Sequence, residues 1–161
     1  MWINIDSQSS IDRLLKEFGG FHDACLREVS IATETYVGED LGMSCPGELD
    51  TSALFCFQAQ NRSLSAIEIK CDRVTAIRLT PTPDGCDSII MGGETTTNGK
   101  ICHIALNFIG GPLTGPPNSS IFIKNRSYQE PDIEITAEAI AWRPIHDGLG
   151  IRLRYRRAEF L

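Results

Sequence analysis

Apolar residues recur at a helical period once, near the start of the chain, and at a period of two almost everywhere after it. Ile11, Leu14, Leu15 and Phe18 stand at i, i+3, i+4 and i+7, one apolar stripe that predicts a helix over residues 9–18. A serine N-cap precedes it and Asp12 falls in its first turn. Gly19-Gly20 then supplies the stop, because glycine tolerates the left-handed conformation at a helix end.

From Cys25 to Val37 the chain is rich in Val, Ile, Thr and Tyr and reads as one long strand with a bulge, followed by a polar Gly/Pro-containing loop over Gly38–Thr51. Residues 53–59 are apolar on both faces, the mark of a central strand. Between Ala66 and Cys71, Ile67, Ile69 and Cys71 point one way while Glu68 and Lys70 point the other. The alternation changes phase over Val74–Thr80, which predicts a bulge or an edge there. Residues 81–85 (Pro-Thr-Pro-Asp-Gly) spell a turn, and Asn98-Gly99 between two strand-like runs, 88–95 and 100–108, spells a hairpin. Further strands are expected at 121–123, 133–142 and 151–157, with His146-Asp147-Gly148 as the last hairpin turn.

The pattern predicts a mainly β fold, an antiparallel sandwich or bent sheet of about eight or nine strands with one short N-terminal helix. A length of 161 residues fits one domain, 1–161, with a β-rich region over 24–157. The Gly/Pro-rich stretch at 110–120 is expected to be a surface loop within that domain, because the residues after it resemble those before it.

Composition narrows the class. Charged residues make up 22% and the apolar set 42%, ordinary for a soluble globular chain, and the net charge of -6 makes nucleic acid an unfavoured partner. No run approaches a membrane span, and residues 1–6 do not have the form of a secretory signal, so a cytoplasmic location without membrane contact is expected. The six cysteines form no C-x-x-C pair, so zinc spacing is absent. Cys56, Cys71 and Cys102 lie inside strand-like runs and read as small buried hydrophobes. No cofactor or metal is implied, and no nucleophile elbow, phosphate loop or dinucleotide fingerprint is present.

Two places carry candidate chemistry. His22-Asp23 follows the helix stop, where an imidazole held by a carboxylate would serve as a general base; the structural alternative is a turn pair that ties the helix end to the sheet. His146-Asp147 is better explained as turn chemistry, and His103 shares a strand face with Ile101 and Ala105. At the other end, Arg152, Arg154 and Arg156 share one strand face. Five arginines against Asp147 leave residues 143–157 at +4 and the remainder at -10. That stripe is either a solvated face paired with acids such as Glu134 and Glu138, or a patch for an acidic partner.

The stretch Phe18-Gly19-Gly20-Phe21-His22-Asp23-Ala24-Cys25-Leu26-Arg27-Glu28-Val29, with Tyr36-Val37 after it and Met1-Trp2-Ile3-Asn4 before it, resembles the opening of a family of small uncharacterised bacterial proteins in which a short helix runs into "GGFHD" and then a strand. The resemblance covers about a quarter of the chain and implies neither an activity nor catalytic residues. In kind rather than in motif, a small acidic β-rich chain without catalytic signatures also resembles the immunity proteins of bacterial polymorphic toxin systems. The expected function is therefore non-catalytic protein binding, immunity-like in character, with a protein or a second copy as partner. The alternatives are a small hydrolase using His22 and Asp23, and a β module enclosing a small ligand.

Overall fold

The computed structural model describes residues 1–60, 63–82, 87–98, 101–108 and 131–145. The expected features at 83–86, 109–130 and 146–161 lie outside the described residues: most of the 81–85 turn, the 110–120 loop, the strands at 121–123 and 151–157, and His146-Asp147-Gly148.

Helix α1 spans Gln8–Phe18. Ser7 is its N-cap, and Ser10 closes a reciprocal box by accepting from the Ser7 amide through its hydroxyl, 3.1 Å away. The helix thus starts earlier than the stripe predicts, and Asp12 sits beyond the first turn, where it accepts from the Gln8 side-chain amide at 2.9 Å. Ile11, Leu14 and Phe18 are buried as the stripe requires. Gly19 ends the helix at φ 69°, and a short 3-10 turn over Gly19–Phe21 leads into the sheet.

The strands are β1 (Ile3–Asn4), β2 (Ala24–Ala32), β3 (Tyr36–Val37), β4 (Met43–Ser44), β5 (Ser52–Ala59), β6 (Ala66–Leu79), β7 (Ile90–Thr97), β8 (Cys102–Phe108) and β9 (Ile133–Ile145). Seven of them form one antiparallel sheet in the order β1-β9-β6-β5-β2-β7-β8, and β3 pairs only with β4. Because β8 also pairs with β9, six strands close into a ring. Strand β9 is shared along its length: Ile133–Ala137 pair with β8, and Ala141–Trp142 pair with β1. The ring's thinnest seam lies between β2 and β7, where only Ala24 and Ile90 are paired, and α1 with its 3-10 turn lies against β7.

Register irregularities let the sheet curl. They fall at Leu26/Glu28, Val74/Ala76 and Ile90/Gly92, and each extra residue bends its strand. The middle one is the predicted phase change, and Arg73 just before it holds φ 56°. At Gly93 the strands approach so closely that a Cβ would lie 2.1 Å from the Ala105 carbonyl oxygen, so only glycine fits.

The bent sheet therefore matches the expected class. Its concave side and the helix share one apolar cluster, which includes Ile67, Ile69, Cys71, Ile104, Ile135 and the fully buried Trp142. Phe21 packs edge-on against both Phe18 and Phe57, each at a 5.2 Å ring separation. One expected strand is broken: the run from Cys25 to Val37 is not continuous, since β2 stops at Ala32 and the chain leaves the sheet to form the β3–β4 hairpin.

Candidate functional site

The helix stop is built from left-handed backbone. Gly19, Gly20 and Phe21 hold φ 69°, 64° and 63° in succession, and Asp23 follows at 57°. Two of these are not glycine, and burial of the Phe21 ring holds the turn in place. The turn brings His22 Nδ1 to 3.0 Å from Asp23 Oδ2, with both side chains about half exposed. The His22 amide donates to the Gly19 carbonyl at 3.2 Å, and the Asp23 carbonyl accepts from Gln60 at 3.1 Å. The structure thus places the candidate pair together in hydrogen-bonding range. An open cavity of about 180 Å³ beside it is lined by Asp23, Cys25, Gln58 and Ile89, among others, and His22 is outside that lining.

The outer face of the sheet carries a polar row. Glu28 stands opposite Cys56, Cys56 opposite Glu68, and Glu68 opposite Arg143. Arg143 donates to Glu68 at 2.6 Å and lies over the Trp2 ring at 4.6 Å. Glu68 is buried, although the alternation of its strand points it away from the core. Burial, together with the nearby Glu68 and Glu28 carboxylates, pushes the Cys56 thiol up to about 12, and burial pushes Cys102 up to about 11 and Cys71 upward. These thiols stay protonated near neutrality, which suits the small-hydrophobe role and not that of a nucleophile. Cys45 is exposed and Cys25 half-buried.

His103 sits opposite the buried face of β8 and meets Glu134 at 3.0 Å, while Glu138 takes Arg73 at 2.7 Å. Both acids expected to neutralise the arginine stripe thus have other basic partners. Arg152, Arg154 and Arg156 themselves lie outside the described residues. Where β9 passes from β8 to β1, a groove of about 220 Å³ opens, lined by residues that include Asp6, Asp72 and Glu138. Two of its three carboxylates are already paired, Glu138 with Arg73 and Asp72 with Lys70 at 2.8 Å. Among the described residues no group of three His, Cys, Asp or Glu side chains is placed to hold a metal ion.

The feature missed in the sequence is the arm that carries β3 and β4. From Ile31 to Leu49 every residue is exposed except the half-buried Gly38. Of nine exposed large hydrophobic side chains among the described residues, five lie on the arm, Tyr36, Val37, Leu41, Met43 and Leu49, and Ile31 stands near the end of β2 just before it. Residues 33–50 also hold Glu34, Glu39, Asp40, Glu48 and Asp50 with no Lys or Arg, a charge of -5. Internal bonds shape the arm: Gly38 donates to the Gly42 carbonyl at 2.8 Å, the Gly42 amide to Asp40 at 2.9 Å, and the Thr35 hydroxyl to Asp50 at 2.9 Å. The last of these holds the Asp50 carboxyl below the ordinary value of 3.8. At the apex Leu41 takes φ 64° and is 84% exposed. One sequence signal was available, a cluster of Tyr, Val, Leu and Met among acids with no helical or alternating period to bury them.

No helix among the described residues is long and apolar enough to cross a membrane. No family model, curated protein or solved structure matches this chain, so its fold and its sites stand on their own geometry.

Proposed function

We propose that this chain acts by binding a protein partner and that the arm over 33–50 is where the partner docks. The observation that carries the proposal is the concentration of exposed apolar side chains on one projecting, acidic segment. Clusters of exposed apolar groups rimmed by polar ones mark interaction surfaces. Burying a Leu, Met or Val side chain contributes about 1.5–3 kcal/mol, so three or four arm residues suffice to offset much of the cost of association. An immunity-like role, with a bacterial toxin as the bound protein, is the specific form supported by a small acidic β-rich chain with a dedicated docking arm. A reducing cytoplasm suits the exposed free thiol of Cys45.

The test is affinity capture from the native host with wild type beside a Leu41→Ser/Met43→Ser variant, followed by titration of the purified captured protein. One partner, retained by wild type and lost by the variant, is the expected result. Equal retention by both, or a monomeric wild type that captures nothing specific, would remove the basis of the proposal.

A second function is favoured by one observation, the His22–Asp23 pair at 3.0 Å on a left-handed turn beside a cavity. In a hydrolase the Asp23 carboxylate would orient the imidazole and stabilise its protonated form while His22 takes a proton from water. Its test is turnover of a panel of nitrophenyl esters and phosphates. Rates that are unchanged in His22→Ala exclude it.

A further inference from the structure

Resting on the arm as the docking element, we infer that its partner presents an apolar cleft rimmed by lysine and arginine. The tip combines two chemistries within a few residues. Leu41 and Met43, 84% and 71% exposed, are the apolar knob. Glu39 and Asp40 directly precede it, and Glu34 stands on the incoming strand side, all exposed. Among the described residues the side chains of Glu34 and Glu39 make no hydrogen bond or ion pair, so their charge is available to a partner. An interface of standard anatomy has an apolar centre and a polar rim, and its two faces carry opposite potentials. The complement of an apolar knob with a carboxylate collar is an apolar pocket with a cationic collar.

Charge decides among the occupants. A second copy would bring two arms of -5 each toward one another across a two-fold interface, and like charges facing each other cost binding energy. Nucleic acid and anionic membrane are repelled for the same reason. A basic protein is attracted over a distance by the whole chain, whose net charge is -6, and is then held by the knob. Beyond its hairpin bonds the arm is held by the Thr35–Asp50 bond at 2.9 Å and by Glu48, 4.0 Å from Arg73 on β6, and a two-stranded hairpin is marginal alone. Its apolar side chains gain their burial from the partner.

The test uses three labelled model peptides, all amphipathic helices: Lys/Leu, Lys/Ser and Glu/Leu. Binding to the full chain is read by fluorescence anisotropy at low and high salt, with oligomeric state measured in parallel by light scattering. The expected result is at least about tenfold preference for Lys/Leu over both others, weakening with salt. Leu41→Ser/Met43→Ser and Glu34→Lys/Glu39→Lys should each cost about tenfold, with circular dichroism unchanged. Should Glu/Leu bind as well as Lys/Leu, the cationic rim is wrong while the arm can still be the docking element. Should wild type dimerise and Leu41→Ser/Met43→Ser not, the occupant is a second copy and the basic partner is wrong. Arm variants that bind Lys/Leu as tightly as wild type would overturn both the partner chemistry and the arm.

Discussion

Phe21 and Leu41 share a backbone conformation and almost nothing else. Both are large apolar residues held at left-handed angles, φ 63° and 64°, where bulky side chains are rare. Phe21 is wholly buried between Phe18 and Phe57, whereas Leu41 is 84% exposed at the tip of the arm. Such a conformation costs on the order of 1–3 kcal/mol. At Phe21 burial of an aromatic ring offsets that cost inside the chain. At Leu41 backbone bonds of the hairpin hold the turn, among them the Leu41 amide to the Gly38 carbonyl at 3.0 Å, but the side chain gains no burial. The comparison separates a left-handed residue whose side chain the fold buries from one whose side chain the fold leaves in water, and the second lies on the segment proposed as the docking element.

The comparison is most exposed to refutation at the buried end. Phe21→Ala should lower unfolding free energy by about 3–5 kcal/mol, since alanine keeps the strained angle and loses the packing. Leu41→Ala should stay within about 0.5 kcal/mol of wild type. Urea titrations of both variants check the pair, and comparable losses would show that the arm is folded into the core's cooperative unit. A smaller effect of opposite sign sharpens the contrast. Leu41→Asn should slow amide exchange within the β3–β4 hairpin by about fivefold, because asparagine tolerates the left-handed region, while weakening capture of the Lys/Leu peptide. A variant with slower exchange that is fully competent to bind would mean that Leu41 is not the knob.

Much of the fold was legible because local rules had few competitors. The stripe Ile11, Leu14, Phe18 and the stop at Gly19 are readable without tertiary knowledge, as are the inward set Ile67, Ile69, Cys71 and the bulge near Val74. The same alternation rule misplaces Glu68, which points outward and is nonetheless buried under Arg143, because the partner that covers it is far away in sequence. The His22–Asp23 contact was legible from adjacency alone, but its half exposure and the cavity beside Asp23 were not, since they depend on Gln58 of β5 and on Ile89, just before β7, arriving from elsewhere in the chain. The arm escaped notice because Leu41, Met43 and Leu49 sit among Gly, Pro and acids, and periodicity reports only residues that repeat on one face.

By itself, the sequence determined the class: one amphipathic helix, a left-handed stop, then alternating strands whose apolar faces must meet. Those features follow from backbone sterics and from the period at which side chains leave water, both local properties. Only the tertiary structure decided that the sheet curls until β8 reaches β9, that Arg143 buries Glu68, and that the segment after β2 departs from the sheet as an exposed acidic arm. Those outcomes depend on which strand edges find each other, and edge pairing is set by the summed packing of residues that no local window contains.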